Sequence, residues 1–265
     1  ISFMWYALVA PLETISQTTS ILSTWFKVPQ TMKNPFDYSL LKSLMSLAFV
    51  LLPIMASAQV LTISSEGEKG SSGDGWMISN NEIIVSNEHV NLHPSVIENL
   101  LSTNDLTIKL SNTGSAIKVL SPIQVKSKSS LKLISKDSIN VFASIHIEGG
   151  RVHLMVEDNP EGKIQINNII STTSGTGLGG NIIIEATEIE LQNESKLLAS
   201  GPKGGGNILV GGDWQGGANA ERRVFDDPNA VYQATTVTME AGAIIDASAT
   251  ENGDGGTVVL WSDIT

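Results

Sequence analysis

The segment GGNIIIEA at residues 179–186 is one of four related stretches, and together these stretches decide the fold. The other three are GGRVHLMV at 149–156, GGNILVGG at 205–212 and GGTVVLWS at 255–262. Their starting points lie about 25 to 30 residues apart, and the last interval is close to two such units. A single unit of this length cannot bury its apolar side chains alone, whereas stacked units can. The repeat therefore predicts a solenoid.

Apolar and polar residues alternate along the chain between the glycine pairs. From Asp105 onward Leu, Ile and Val occupy every second position, as in DLTIKL at 105–110. This period indicates strands with one buried face. We expect the glycine pairs to form the corners, because glycine adopts positive φ without strain. The predicted corner residues are Gly149, Gly150, Gly179, Gly180, Gly205, Gly206, Gly255 and Gly256.

Three local features complete the predicted architecture. Asn181 and Asn207 each follow a glycine pair, so they are expected to stack as an asparagine ladder. PSVIENLLS at 94–102 has apolar residues at helical spacing behind a proline, which predicts one short helix. Residues 213–235 are polar and lack alternation, so they are expected to form a loop that projects between two coils. The prediction is an all-β fold with one helix and one projecting loop.

The composition agrees with this fold and excludes several kinds of function. Glycine is frequent, with 24 residues among 265, and aromatic residues make up only 5%. The absence of cysteine excludes a disulfide scaffold, a cysteine nucleophile and a cysteine-ligated zinc site. The net charge of -11, from 27 acidic and 16 basic residues, argues against nucleic acid as a partner, since phosphate contacts need lysine or arginine.

A secretory signal peptide is predicted at residues 32–58. Lys33 follows Met32, an apolar run extends over 44–55, and the segment ends in Ala-Ser-Ala. The run is shorter than the ~20 residues that a membrane helix needs. Cleavage is expected after Ala58, which places the mature protein outside the cell or on its surface.

The sequence divides into four predicted parts. We expect residues 1–31 to be translated upstream sequence that is not part of the native protein, followed by the signal peptide. Residues 59–74 are predicted to be a linker, and 75–265 to be the repeating β domain. Because the chain stops in mid-pattern after the fourth glycine pair, we expect it to be a fragment of a longer protein.

Candidate ligand contacts are concentrated in the predicted loop. They combine an aromatic ring, two guanidinium groups and two carboxylates, and they are Trp214, Arg222, Arg223, Asp226 and Asp227. Carboxylates that converge, or that hold calcium beside a basic residue, would suit polysaccharide cleavage. A solvated loop with local ion pairs accounts for the same residues.

No catalytic constellation and no cofactor motif is recognisable in the sequence. His89 and His93 lie four residues apart, which on a helix can bind a metal. Pro94 follows directly and the preceding residues alternate as in a strand, so no metal site is predicted there. The sequence therefore assigns no catalytic residue, no cofactor and no metal.

Two segments resemble the filamentous-haemagglutinin-like exoproteins. The first combines GWMISNNEIIV at 75–85 with VIENLL at 96–101 and NDLTIKL at 104–110. The second combines GGDWQG at 211–216 with IDASATENGDGGTVVLWSD at 245–263. The resemblance implies a right-handed parallel β-helix on a large secreted adhesin of a Gram-negative bacterium, exported through an outer-membrane partner. Only residues 59–74 separate the signal peptide from the first segment, which leaves no room for the secretion domain of two-partner relatives.

These observations lead to two functional hypotheses. The first is a rigid rod within a secreted or cell-surface adhesin, which attaches to glycans or proteins of host cells or surfaces. The second is a secreted β-helical carbohydrate-active enzyme, either a polysaccharide lyase or a hydrolase, with residues 213–235 beside its substrate groove.

Overall fold

The structure is a computed structural model that describes residues 57–263. The predicted upstream segment 1–31 and nearly all of the predicted signal peptide 32–58 lie outside the described residues. The described part is rich in strands, which form three sheets, and it has one α-helix of eight residues. The prediction of an all-β fold is confirmed.

The strands are numbered along the chain and belong to sheets A, B and C. Sheet A has the order β5 (His89–Leu92), β1 (Val60–Glu68), β7 (Ala116–Val119), β10 (Ser138–Val141), β13 (Lys163–Ile166), β16 (Glu188–Leu191) and β19 (Thr236–Met239). Sheet C has the order β8 (Ile123–Val125), β11 (Ile145–Ile147), β14 (Ile169–Ser171), β17 (Lys196–Leu198) and β20 (Ile244–Asp246). Sheet B has the order β2 (Ser72–Gly73), β3 (Trp76–Ser79), β4 (Glu82–Val85), β6 (Leu106–Lys109), β9 (Ser130–Ser135), β12 (Arg151–Val156), β15 (Asn181–Glu185), β18 (Asn207–Val210) and β21 (Thr257–Leu260).

From β7 onward, each strand pairs in parallel with the strand three positions further along the chain. In sheet A, Ile139 of β10 lies opposite Ile164 of β13, and Ile164 lies opposite Ile189 of β16. Sheets B and C repeat this relation without a change of register from β9 to β21 and from β8 to β20. Each successive stretch of chain therefore adds one strand to each sheet, as the repeat predicts.

Alternation directs every second side chain of each strand into a core that the three sheets share. Ile139 of sheet A, Ile145 of sheet C and Leu154 of sheet B are fully buried and belong to one core. Their neighbours along each strand face outward, as the period of two requires. The core is thus a stack of Ile, Leu and Val layers, one layer for each stretch of three strands.

The predicted need for glycine at the corners holds for a different physical reason. Among the eight corner glycines only Gly149 has positive φ. A Cβ on Gly180 would lie 1.9 Å from the carbonyl oxygen of Gly150, and one on Gly206 would lie 1.8 Å from that of Gly180. These stacked backbones approach too closely for any side chain. Gly149 and Gly255 are the exceptions, because a Cβ on them would meet nothing nearer than 3.5 and 3.8 Å respectively.

The asparagine ladder is confirmed for two neighbouring strands of sheet B. Asn207 lies opposite Asn181 in sheet B, and its Nδ2 donates a hydrogen bond to Asn181 Oδ1 at 3.0 Å. The corresponding positions in the flanking strands are Arg151 and Thr257, so the ladder stops at one bond.

The prediction of a linker over 59–74 is wrong for most of that stretch. Strand β1 begins at Val60 and pairs in parallel with both β5 and β7, inside sheet A. Its Leu61 and Ile63 are fully buried, and this alternation draws the segment into the core. The repeating domain therefore begins well before residue 75.

The helix and an antiparallel extension lie at the first coils. Helix α1 covers Pro94–Leu101, which confirms the predicted helix, and His93 caps its first turn through Nδ1. It packs against β8, the edge strand of sheet C, and Glu98 Oε1 accepts a hydrogen bond from the backbone N–H of Gln124 at 2.9 Å. Strands β2, β3 and β4 pair antiparallel and extend sheet B beyond β6.

Candidate functional site

The loop at residues 213–235 folds back over the outer face of sheet B. Ile183, Leu209 and Val259 occupy aligned outward positions on β15, β18 and β21, yet each is at least 95% buried. Val231 of the loop packs against them, together with Phe225 and other partly buried side chains. The prediction of a freely projecting loop is therefore corrected. The outward apolar row would be exposed to water without this cover.

The sequence contains a signal for this cover. In NIII at 181–184 and NILV at 207–210 three apolar residues follow one another, so both faces of each strand are apolar. An unbroken apolar strand indicates that both faces are covered. The identity of the cover depends on where the loop returns, and alternation carries no information about that.

The buried carboxylate of Asp213 holds the two ends of the first half of the loop together. Its Oδ1 accepts from the backbone N–H of Trp214 at 2.7 Å. Its Oδ2 accepts from the N–H groups of Val224 and Phe225 at 2.7 and 3.2 Å. Only 4% of Asp213 is exposed, so three backbone donors share a carboxylate shielded from water.

Glu185 fixes the second half of the loop to the sheet. Its Oε2 accepts from the backbone N–H of Tyr232 at 2.6 Å, and its Oε1 contacts Nε2 of His153 on the neighbouring strand. Both oxygens are therefore engaged, and only 2% of the residue is exposed. The outward position of Glu185 on β15 makes this contact possible, because it lies diagonally across from His153.

A cavity of about 340 Å³ lies between the middle of the loop and the outer face of sheet B, and we call it the sheet-B cleft. Thr107, Lys132 and His153 form its floor, in the same outward row that continues into the apolar Ile183. Phe225 and Ala230 are the loop residues that line it. The remaining lining residues are Asp105, Leu106, Ser130, Arg151 and Glu185.

The cations of the sheet-B cleft are free of internal partners. Within residues 57–263, no carboxylate oxygen lies within 4.0 Å of the side-chain nitrogens of Lys132 or Arg151. Asp105 is engaged elsewhere, since its Oδ1 accepts from the backbone N–H of Ser130 at 2.8 Å. The cleft therefore holds two cations without an ion-pair partner among the described residues, beside two carboxylates that are hydrogen-bonded to other groups.

The five residues predicted from the sequence lie outside this cleft. The guanidinium of Arg222 stands 5.1 Å from the ring centre of Trp214, a cation–π arrangement on the loop. Arg223 donates to the Gly217 carbonyl at 3.4 Å. Asp226 and Asp227 are exposed.

One of the two exposed aspartates of the loop has a local role. Asp227 Oδ1 accepts from the backbone N–H of Asn229 at 2.9 Å, which is an ordinary turn contact. Only Phe225 and Ala230 connect the loop to the cavity. The structure thus places the candidate contacts on the sheet floor, where the sequence gave no reason to look for them.

One ion pair on sheet A has a defined electrostatic effect. Lys163 Nζ donates to Glu190 Oε1 at 2.5 Å, and the side-chain amide of Gln165 donates to Oε2 at 2.6 Å. The hydrogen bond from Lys163 is the main cause that lowers the pKa of the Glu190 carboxyl, and the bond from Gln165 adds to it.

The described residues 57–263 form neither a metal-binding cluster nor a membrane-spanning helix. Across 57–263 no three His, Asp or Glu side chains come together in a way that could hold a metal ion. His89 lies on β5 and His93 caps α1. No helix in this same range has the length and apolar character needed to cross a membrane.

Comparison of the chain with protein-family models, with curated proteins and with solved structures found no match.

Proposed function

We propose that the described chain is a right-handed parallel β-helix with three strands in each coil. The support is the succession β7-β8-β9, β10-β11-β12 and so on to β21, with every third strand paired in parallel. Parallel crossover connections are right-handed in nearly all proteins. The resemblance of residues 75–110 and 211–263 to haemagglutinin-like exoproteins agrees with this architecture.

We infer from this architecture that the chain is part of a secreted or cell-surface adhesin. The observation that carries the proposal is the constant register of the three sheets from β7 to β21. It gives a rod whose outward faces repeat from coil to coil and can carry binding surfaces. The predicted signal peptide and the resemblance support export to the bacterial surface. An outer-membrane secretion partner and glycans or proteins on the target surface are the proposed partners.

Export and attachment are tested separately. The full chain is expressed in a Gram-negative bacterium, and the exported protein is sequenced from its N-terminus. The expected first residue is Gln59, and a peptide from 1–31 in the exported protein would refute the predicted processing.

For attachment, beads coated with the exported chain are added to epithelial cells and to glycan-coated surfaces. Beads coated with the chain should adhere, whereas beads coated with albumin should not. A second control is Ile139→Lys, which places a charge in the core and should abolish the fold and the adhesion together. Equal adhesion of chain-coated and albumin-coated beads would overturn the proposal.

The enzyme hypothesis has one observation in its favour, namely the cavity that contains the buried Glu185 and the partly buried His153. Glycoside hydrolysis needs a second carboxylate beside the first. Asp105 is the other carboxylate that lines the cleft, and its Oδ1 already accepts a backbone hydrogen bond. Incubation with acidic polysaccharides tests this alternative. Release of reducing or unsaturated ends that is lost in Glu185→Gln or Asp105→Asn would favour it.

A further inference from the structure

We propose that the sheet-B cleft binds a carboxylate-bearing sugar residue. The inference rests on the proposed attachment function, for which it names the class of ligand. It follows from the free donors of the cleft, from the carboxylates that are already engaged, and from the size and walls of the cavity.

The donors of the cleft have no other task within the described residues. Lys132 and Arg151 form no ion pair there, and their side chains donate no hydrogen bond to protein atoms. The hydroxyl of Thr107 lies in the same row as Lys132. A guanidinium binds a carboxylate through two parallel hydrogen bonds, and an ammonium adds a point charge. The floor is therefore complementary to a carboxylate flanked by hydroxyl groups.

The acidic residues of the cleft have most of their oxygens bound to protein groups. Glu185 uses one oxygen for His153 and the other for the Tyr232 backbone, which leaves neither oxygen directed to a ligand. Asp105 is held by the Ser130 backbone N–H. Three of these four carboxylate oxygens thus have a hydrogen-bond partner, and the unused hydrogen-bonding capacity of the cleft consists mainly of the donors of Lys132, Arg151 and Thr107.

The dimensions and walls favour a single sugar residue over a longer anion. A cavity of about 340 Å³ lies at the lower end of the range for small-molecule pockets. Phe225 provides an aromatic wall on the loop side, against which the apolar face of a sugar ring can pack. A polyphosphate chain would need more cations than the two present.

The test is isothermal titration of the exported chain with a defined panel. The panel contains short oligosaccharides of galacturonate, of glucuronate and of sialate, the methyl ester of each, a neutral glucose oligomer, and acetate. At least one carboxylated sugar should bind in a saturable manner. Its methyl ester, the glucose oligomer and acetate should each bind at least about tenfold more weakly.

Variants assign the binding to the cleft. Arg151→Ala and Lys132→Ala should each weaken binding at least about tenfold, because each removes one charged contact. Both residues face outward, so neither change removes a core contact. Lys118→Ala is the matched control, since Lys118 is an exposed outward residue on sheet A and should leave the affinity unchanged.

Three results would overturn the inference. They are the absence of saturable binding by every carboxylated sugar, equal affinity for a methyl ester or for acetate, and unchanged affinity in both cleft variants. The attachment proposal is judged independently by the coated beads. If the beads adhere and the cleft variants adhere equally well, the attachment function stands and the ligand assignment fails.

Discussion

Replacement of Asp213 by alanine should release the loop at residues 213–235 from sheet B while the three sheets stay intact. The carboxylate accepts hydrogen bonds from three backbone N–H groups, at 2.7, 2.7 and 3.2 Å, and it is 4% exposed. A hydrogen bond to a charged group contributes about 1.5–3 kcal/mol. The three bonds are not additive, because an opened loop lets its amides bind water. We therefore expect the free energy of loop closure to become about 3 kcal/mol less favourable, which makes the population of the open loop roughly a hundredfold larger.

Hydrogen exchange followed by mass spectrometry measures this population directly. In Asp213→Ala the amides of Val224 and Phe225 should exchange about a hundred times faster, whereas the strands of sheet A should keep their protection. Asp227→Ala is the matched control in the same loop, because Asp227 is exposed and accepts only from the Asn229 amide. Unchanged exchange at Val224 and Phe225 would refute the role assigned to Asp213. Equal acceleration in the control would show that any loss of charge loosens the loop.

Three other substitutions test the packing and the electrostatics. Gly180→Ala should lower the free energy of unfolding, measured in urea, by about 3 kcal/mol, because its Cβ meets the Gly150 carbonyl. Gly255→Ala, whose Cβ meets no such atom, should lower it by less than about 0.5 kcal/mol. Equal losses in the two variants would contradict the steric explanation. Leu209→Ala should cost about 3 kcal/mol and sensitise the loop to protease, because this outward side chain is fully buried; an unaltered urea midpoint would argue against the apolar cover. Because the pKa of Glu190 is lowered, its stabilisation is complete above the usual value of 4.5 and is lost as the pH falls below it. Glu190→Gln should therefore be about 1 kcal/mol less stable than the parent at pH 7, and this difference should vanish in acid. A difference that does not depend on pH would show that the charge of Glu190 is not its cause.

Alternation and the glycine pairs were sufficient to predict the sheets, because both are local properties of the sequence. Ile139 and Val141 alternate with polar residues, and this pattern alone places them in the core. The physical reason for the glycines required the structure. Whether a Cβ on Gly180 meets a carbonyl depends on which residue of the previous coil lies beside it, and the coils differ in length.

The site was predicted poorly for the same reason. The loop sequence is conspicuous, so the prediction placed ligand contacts at Trp214 and Arg222, which contact each other on the loop. Lys132 lies on β9, whereas Arg151 and His153 occupy alternate positions of β12, more than 15 residues further along the chain. The register of sheet B brings the three side chains together. No spacing in the sequence distinguishes them from other outward residues of the repeat.

The pairing of each strand with its third neighbour also constrains the order in which the protein can fold. Paired residues such as Ile139 and Ile164 are separated by about 25 residues, so each coil closes only a short loop and the entropic cost of each step is small. Helix α1 and the antiparallel strands β2 to β4 lie at the first coils, where they cover an edge of sheet C and extend sheet B. Once this end is formed, its exposed strand edges can pair with the strands that follow in the chain. A chain that becomes available from its N-terminus can thus fold progressively, and each added coil makes the release of the earlier ones less favourable.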